Sequence, residues 1–300
     1  MKNKILNSDF GIGTLIFIAA VILALPIRIY QYIGGVLEAQ TGFYAKSGDW
    51  SIFALYGVIA VAAVAIILFG FTKSKKLVYD TSKAVRPGFG ALSGLVAAAL
   101  ILDLFACLQV LPNYQQALAA DKSSPEATTY YVILAQMALA LLSAIYFVVL
   151  CVGSLSGKSS GSEFKLVSLT PVLWAMLRMV ARFMRTISYI RVSELLFEML
   201  MLMFMIIFFM NFAQCSSKVN DKDCGWKLAA YGLPAALLGL VCFVPRLILA
   251  LTGKADVIYT GSMLEYSDFA VALFIIATVL TRVTVKAPEA EESTTETIEE

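Results

Sequence analysis

The chain contains no histidine. That absence removes Ser-His-Asp and Cys-His nucleophile activation, HExxH zinc sites, His-ligated haem and histidine proton relays. Charge is also scarce. Asp, Glu, Lys and Arg make up 15% of the 300 residues, against about a quarter in a soluble domain. The five cysteines show no CxxC spacing. No basic stretch interleaved with aromatics is present, so no nucleic-acid partner is expected. No internal repeat is evident, which leaves a repeat-built transporter without support.

What remains is overwhelmingly apolar. The chain is 60% hydrophobic, with a mean hydropathy of +0.82. Its apolar runs are continuous and about twenty residues long, as a spanning helix requires. Strands of a β-barrel would alternate polar and apolar instead. The expected fold class is therefore all-α: a polytopic helical membrane protein, placed in the cell membrane. Seven segments read directly as spans: about 11–29, 52–71, 90–111, 131–153, 194–214, 228–250 and 264–283. An eighth, about 168–190, carries arginines. It either spans, giving eight transmembrane helices, or lies flat in the interface, giving seven.

Lys2, Lys4, Lys73, Lys75, Lys76, Lys83 and Arg86 lie on one side of this arrangement, as do Lys158, Lys165, Lys218, Lys222 and Lys227. The opposite side holds roughly half as many basic residues, so the positive-inside rule places the N-terminus in the cytoplasm. The opening MKNK and its apolar run read as a retained first helix, because no small-residue cleavage site follows Leu25-Pro26. Residues 1–285 form one helical bundle, with possible halves 1–155 and 163–285 separated by the SGKSSGS tract. Residues 286–300 carry Glu289, Glu291, Glu292, Glu296, Glu299 and Glu300 and read as a disordered acidic tail.

The arginine segment is the most informative. Arg178, Arg182 and Arg185 fall within about 60° of one another at 100° per residue. A guanidinium keeps its charge in a dry site, so each needs compensation at membrane depth. Candidate partners are Glu194 and Glu198, one turn apart on the next helix, and Asp103 in the middle of the third span. The functional reading is a ligand-binding set formed by Arg178, Arg182, Arg185, Glu194, Glu198 and Asp103. It would hold a small anionic or amphiphilic solute for binding or transport at mid-depth, since guanidinium forks grip carboxylate or phosphate at two points. The structural alternative is an ion-pair network pinning helices, in a non-catalytic scaffold, sensor or partner subunit.

Other features have plainer readings. Ser193 and a first-turn Glu194 suit a helix start. Asp103 either carries a proton or is held by hydroxyl or backbone groups. Arg246 and Asp268 read as an ion pair or as interfacial side chains. Gly90 and Gly94 form a GxxxG that permits close helix contact. Met199, Met201, Met203, Met205 and Met210 read as adaptable packing rather than a metal stripe. Cys215 and Cys224 bracket a short loop and would pair only if that loop is extracytoplasmic. No cofactor, metal or catalytic residue is called for, so an enzyme is not expected. The expected partners are membrane lipids, the small anionic solute, and a protein docked on the cytoplasmic tail.

Overall fold

The structure, a computed structural model, describes residues 11–38, 43–46, 48–73, 77–79, 87–120, 125–156, 165–184, 192–217, 224–254 and 265–285. It contains α1 (Gly11–Ile33), α2 (Trp50–Thr72), α3 (Pro87–Ala120), α4 (Pro125–Leu155), α5 (Thr170–Met184), α6 (Val192–Ser216), α7 (Cys224–Leu251) and α8 (Tyr266–Arg282). Two short strands, β1 (Leu77–Tyr79) and β2 (Val283–Val285), pair antiparallel. The protein is an all-α, multi-pass, membrane-embedded bundle. Six of its helices are long and apolar enough to cross a bilayer: α1, α2, α3, α4, α6 and α7. Of the other two, α5 has 15 residues and α8 has 17. The acidic tail lies outside the described residues.

The eight helices run alternately up and down, which follows from contacts at one end. Tyr79 pairs with Val283. A Cβ on Gly225 would meet the backbone of Leu77 and Val78 within 2.8 Å, so β1 crosses directly over the start of α7. Gly70, near the end of α2, meets Ala230 of α7 as closely. Gly90 and Gly94 of α3 pack on Cys151, with Ser154 and Leu155 also against Gly90, which is the close approach the GxxxG spacing predicts. Ser168, just before α5, lies 3.4 Å from Ser217, just after α6. This end, here the strand end, therefore gathers the ends of α2, α4, α6 and α8 and the starts of α3, α5 and α7.

That parity decides how the arginine helix sits. A flat α5 would leave α8 ending on the side opposite β1, and the two strands could not pair. Instead α5 stands in the bundle between α4 and α6. Trp174, Ala175 and Arg178 face inward and are buried, while Leu173, Met176, Val180 and Phe183 face outward. The amphipathic pattern is that of a helix with one face on protein and the other on lipid.

Lateral order follows from helix neighbours. α3, α4, α5, α6, α7 and α8 close a ring, α8 returning to α3, and α1 and α2 pack on the outside of α7. α7 is consequently buried along nearly its whole length. Ala229, Ala230, Gly232, Ala235, Ala236 and Gly239 let its neighbours approach. Gly232 receives Phe208 and Ile275, where a Cβ would lie 2.8–2.9 Å from their side chains.

The interior of the ring at the strand end is aromatic. Phe147 of α4 meets Phe209 and Phe274 edge-on, with centroids 6.1 and 5.3 Å away. Phe212 meets Phe274 at 5.4 Å, and Phe89 of α3 lies 5.2 Å from Phe274. Edge-to-face packing at these separations is favourable beyond the area it buries. Even the charge at this end is met by rings, since the Arg282 guanidinium lies 4.2 Å from the Phe89 centroid.

Cys215 and Cys224 form a disulfide that closes the α6–α7 turn at the strand end. Lys73, Lys165 and Lys227 lie on the same end. The two sequence expectations therefore collide. The basic bias makes this the cytoplasmic side, whereas the cysteine reading required an extracytoplasmic loop. The Cα separation of 5.9 Å is set by the helix pair, so the sulfurs are in bonding reach on either side. Their state then follows the redox poise of the compartment this end meets.

Candidate functional site

At the end opposite the strands, the ring is filled with charge. The site begins on α5, whose 3.6-residue period places Arg178 and Arg182 one turn apart on the buried face. Arg178 reaches across the ring to α8 and donates from Nη1 and Nη2 to the two carboxylate oxygens of Asp268, at 2.6 and 2.9 Å. Its side chain is 3% exposed and that of Asp268 9%. A two-point, charge-assisted pair of this geometry is the strongest hydrogen-bonded contact available to a buried arginine. Trp174, one turn earlier on α5, lies 5.4 Å from the same guanidinium.

Glu265 joins the two α5 arginines. One carboxylate oxygen lies against Arg178 Nη2, and the other accepts from Arg182 Nη2. Arg182 Nε also lies 3.5 Å from Glu198 of α6. Glu198 extends the row to α7, where Arg246 Nη2 stands 3.4 Å from it. The Tyr32 hydroxyl is 3.5 Å from both Arg246 Nε and Arg28 Nη2. Arg28 of α1 donates to Gln31 Oε1 at 2.9 Å, and Gln31 in turn donates to the Ser51 carbonyl at 3.0 Å. Tyr32 and Phe197 present their rings to Arg28, with centroids 5.0 and 5.5 Å away. Four arginines from three helices thus form one continuous row with carboxylates from α6 and α8.

Asp103 does a separate task. Its two oxygens accept from the backbone N–H groups of Tyr266 and Ser267, at 3.0 and 3.1 Å. It caps the first turn of α8 from α3, where unsatisfied donors and the helix dipole favour a carboxylate. Of the two readings of Asp103, the backbone-held one matches the geometry. Glu265 occupies the residue before α8, with extended backbone at φ −88° and ψ 104°, and its side chain makes no cap bond to its own helix. The cap comes from Asp103, which leaves Glu265 to the arginines.

Several sequence expectations need correction. The cluster gathers near the start of α8, remote from the strands. Asp268 and Arg282 lie in the first and last turns of α8, about 21 Å apart at 1.5 Å per residue, so the charge row sits at the end of α8 opposite the strands, while α3 runs on past Asp103 to Ala120. The non-helical residues 34–38, 43–46 and 48–49 lie at that same level, and lipid-exposed irregular backbone is not tolerated in the hydrocarbon region. Arg246 and Asp268 do not pair with each other. Each takes a different partner, Glu198 and Arg178, because α5 inserts between α4 and α6. Arg185 lies outside the described residues, as does the side chain of Glu194, whose backbone is in the first turn of α6.

Sequence reasoning missed Glu265 and Arg28. Glu265 falls at the margin of the span 264–283 and Arg28 at the end of the span 11–29, and neither position stands out by local pattern. The signal that would have found them is parity: the ends of odd helices and the starts of even ones share a side. Ser93, buried on α3, donates its hydroxyl to the Phe89 carbonyl at 2.9 Å, a satisfied structural contact. Among the described residues, no group of three or more His, Cys, Asp or Glu is placed to hold a metal ion.

Known protein families, curated proteins and solved structures contain no match to this chain. The functional reading rests on the row itself.

Proposed function

We propose that this membrane protein recognises a small anionic solute at the mouth of the helix ring, with Arg178, Arg182 and Arg246 as the binding groups. The observation that carries this reading is the convergence of buried guanidiniums at the end of α8 opposite the strands. Ionisable side chains inside a membrane protein are costly and usually mark a ligand or ion path. The most exposed members of the row are Glu265, Glu198 and Arg182, at 19%, 12% and 10%, so an anion arriving from that side meets Arg182 first. Asp103 and Asp268 support the site by fixing the start of α8. The aromatic layer closes the ring beneath the row. Onward passage of a solute requires that layer to part.

The test uses the full chain in lipid nanodiscs, with tryptophan-fluorescence melting as readout. Acetate, succinate and inorganic phosphate are titrated against chloride at equal ionic strength. At least one should raise Tm saturably in the wild type, and Arg182→Gln should lose that response while keeping its own cooperative melt. No response in the wild type, or an undiminished one in Arg182→Gln, refutes the reading.

A second reading is favoured by one observation: Arg178, Arg182 and Arg246 each already face a carboxylate. In that case the row pins α5 into a scaffold or partner subunit of a larger membrane complex. Deleting residues 286–300 should then release a co-purifying protein, whereas a self-sufficient solute binder keeps its composition.

A further inference from the structure

The row holds its carboxylates in two different ways. Asp268 lies within the first turn of α8, and moving it means unwinding that turn. Glu265 is the N-cap residue, on extended backbone; its carbonyl accepts from the Asp268 N–H at 3.1 Å, but its side chain makes no cap bond. The donors that an N-cap side chain would normally satisfy are taken by Asp103 from α3. Glu265 can therefore swing away while α8 stays capped and Arg178 stays paired with Asp268. It is also the most exposed carboxylate in the row.

We infer that Glu265 is a tethered stand-in for the solute: its carboxylate occupies the seat between Arg178 and Arg182 that an incoming free carboxylate takes. This rests on the anion-recognition reading and deepens it by naming the ligand class and the residue that competes with it. The seat is formed by two guanidiniums one helical turn apart and contacts both oxygens of one carboxylate. A small carboxylate reproduces those contacts, whereas a halide offers no second acceptor atom. Binding proceeds by exchange. The solute carboxylate takes the two arginines, and Glu265 moves into solvent at the mouth. The local charge balance is then restored by the cation that accompanies the solute. Glu265 is thus a positioning and specificity-determining residue: it holds the arginines in geometry when no solute is present and sets the affinity a solute must exceed.

The experiment removes the tether and offers the seat to a free carboxylate. Full-length Glu265→Ala in nanodiscs is melted with sodium acetate or sodium chloride at equal ionic strength. The variant should melt below the wild type in chloride. Acetate should raise its Tm saturably, with a half-point at least about tenfold lower than any acetate response of the wild type. Equal curves in acetate and chloride overturn the inference. If Glu265→Ala does not fold, Glu265→Gln carries the test with the same two outcomes, since its amide keeps the side-chain volume while forfeiting the charge. The double variant Glu265→Ala/Arg182→Gln should lose the acetate response, and retention of it places acetate elsewhere and also overturns the inference. Failure here is separable from failure of the broader reading. A wild type that binds an anion, beside a Glu265→Ala protein that is no better at it, keeps the site and removes Glu265 from it. Rescue of Glu265→Ala beside a wild type that binds no anion keeps the seat and removes the function.

Discussion

The two ends of the ring solve the same problem with opposite chemistry. At the strand end, rings from α3, α4, α6 and α8 close the interior, and β1 lies over the start of α7 at backbone contact distance. At the other end, guanidiniums from α5 reach carboxylates on α6 and α8. Aromatic packing is nondirectional in charge and carries no vacancy for a polar guest. A row of shared carboxylates is held in discrete pairs, each of which another anion can imitate. Both ends hold the bundle together, and the proposed reading adds recognition to the second.

The largest effect on this comparison should come from the aromatic end. Phe274 touches Phe89, Phe147 and Phe212 and is fully buried. Truncation of Phe274 to alanine should cost about 3–5 kcal/mol, as for other buried aromatics. The loss should be the same at low and high salt, measured as a denaturation midpoint in detergent. A marked salt dependence would mean that the aromatic layer and the charge row are not separate devices.

Asp103 sharpens the comparison at the opposite end. Asp103→Ala removes the cross-helix cap of α8 and should cost about 1 kcal/mol, within the range of lost N-caps. It should also lower anion affinity, because Asp268 and Glu265 both depend on where α8 begins. Hydrogen exchange at Tyr266 and Ser267 should rise selectively. Unchanged protection there would show that another group satisfies these donors.

The smallest effect belongs to a cap outside the membrane. Asp49 accepts from the Ser51 backbone N–H at 2.9 Å, and the Ser51 hydroxyl beside it together with this backbone bond holds its carboxyl below the ordinary carboxylate range. Because the folded-state value is the lower one, the stabilisation is present above the unfolded value and lost as pH falls through the folded one. Asp49→Asn should therefore remove a small acid-side loss of stability and leave the neutral-pH melt nearly unchanged. A large effect at neutral pH would contradict the view that Asp49 is a solvated cap.

The arginine face of α5 was legible because a 100° period needs only local spacing. So was its requirement for counter-charge, because guanidinium cannot neutralise itself. The partners were not legible in the same way. Arg178 and Asp268 are 90 residues apart, and their pairing depends on the lateral order of the ring, which no periodicity encodes. Glu198 was recoverable from its place one turn inside the neighbouring helix. Glu265 was not, because it lies in a connection without regular period. The strand pair was missed for a related reason, since three residues are too few to show alternation. Asp103 was correctly marked as a carboxylate needing support, yet its support is the backbone of another helix, and sequence carries no label for that.

The central claim is that Arg178 of α5 is bonded across the ring to Asp268 of α8. A double-mutant cycle tests it most directly, with Arg178→Met, Asp268→Leu and the double variant unfolded under identical detergent conditions. Arg178→Met strands the Asp268 carboxylate and should cost about 3–5 kcal/mol, Asp268→Leu leaves Arg178 with Glu265 and should cost less, and the double should cost less than the sum. A coupling of about 2 kcal/mol or more is the predicted result. Costs that simply add would show that the two side chains do not meet and that α5 is held in the bundle by something else.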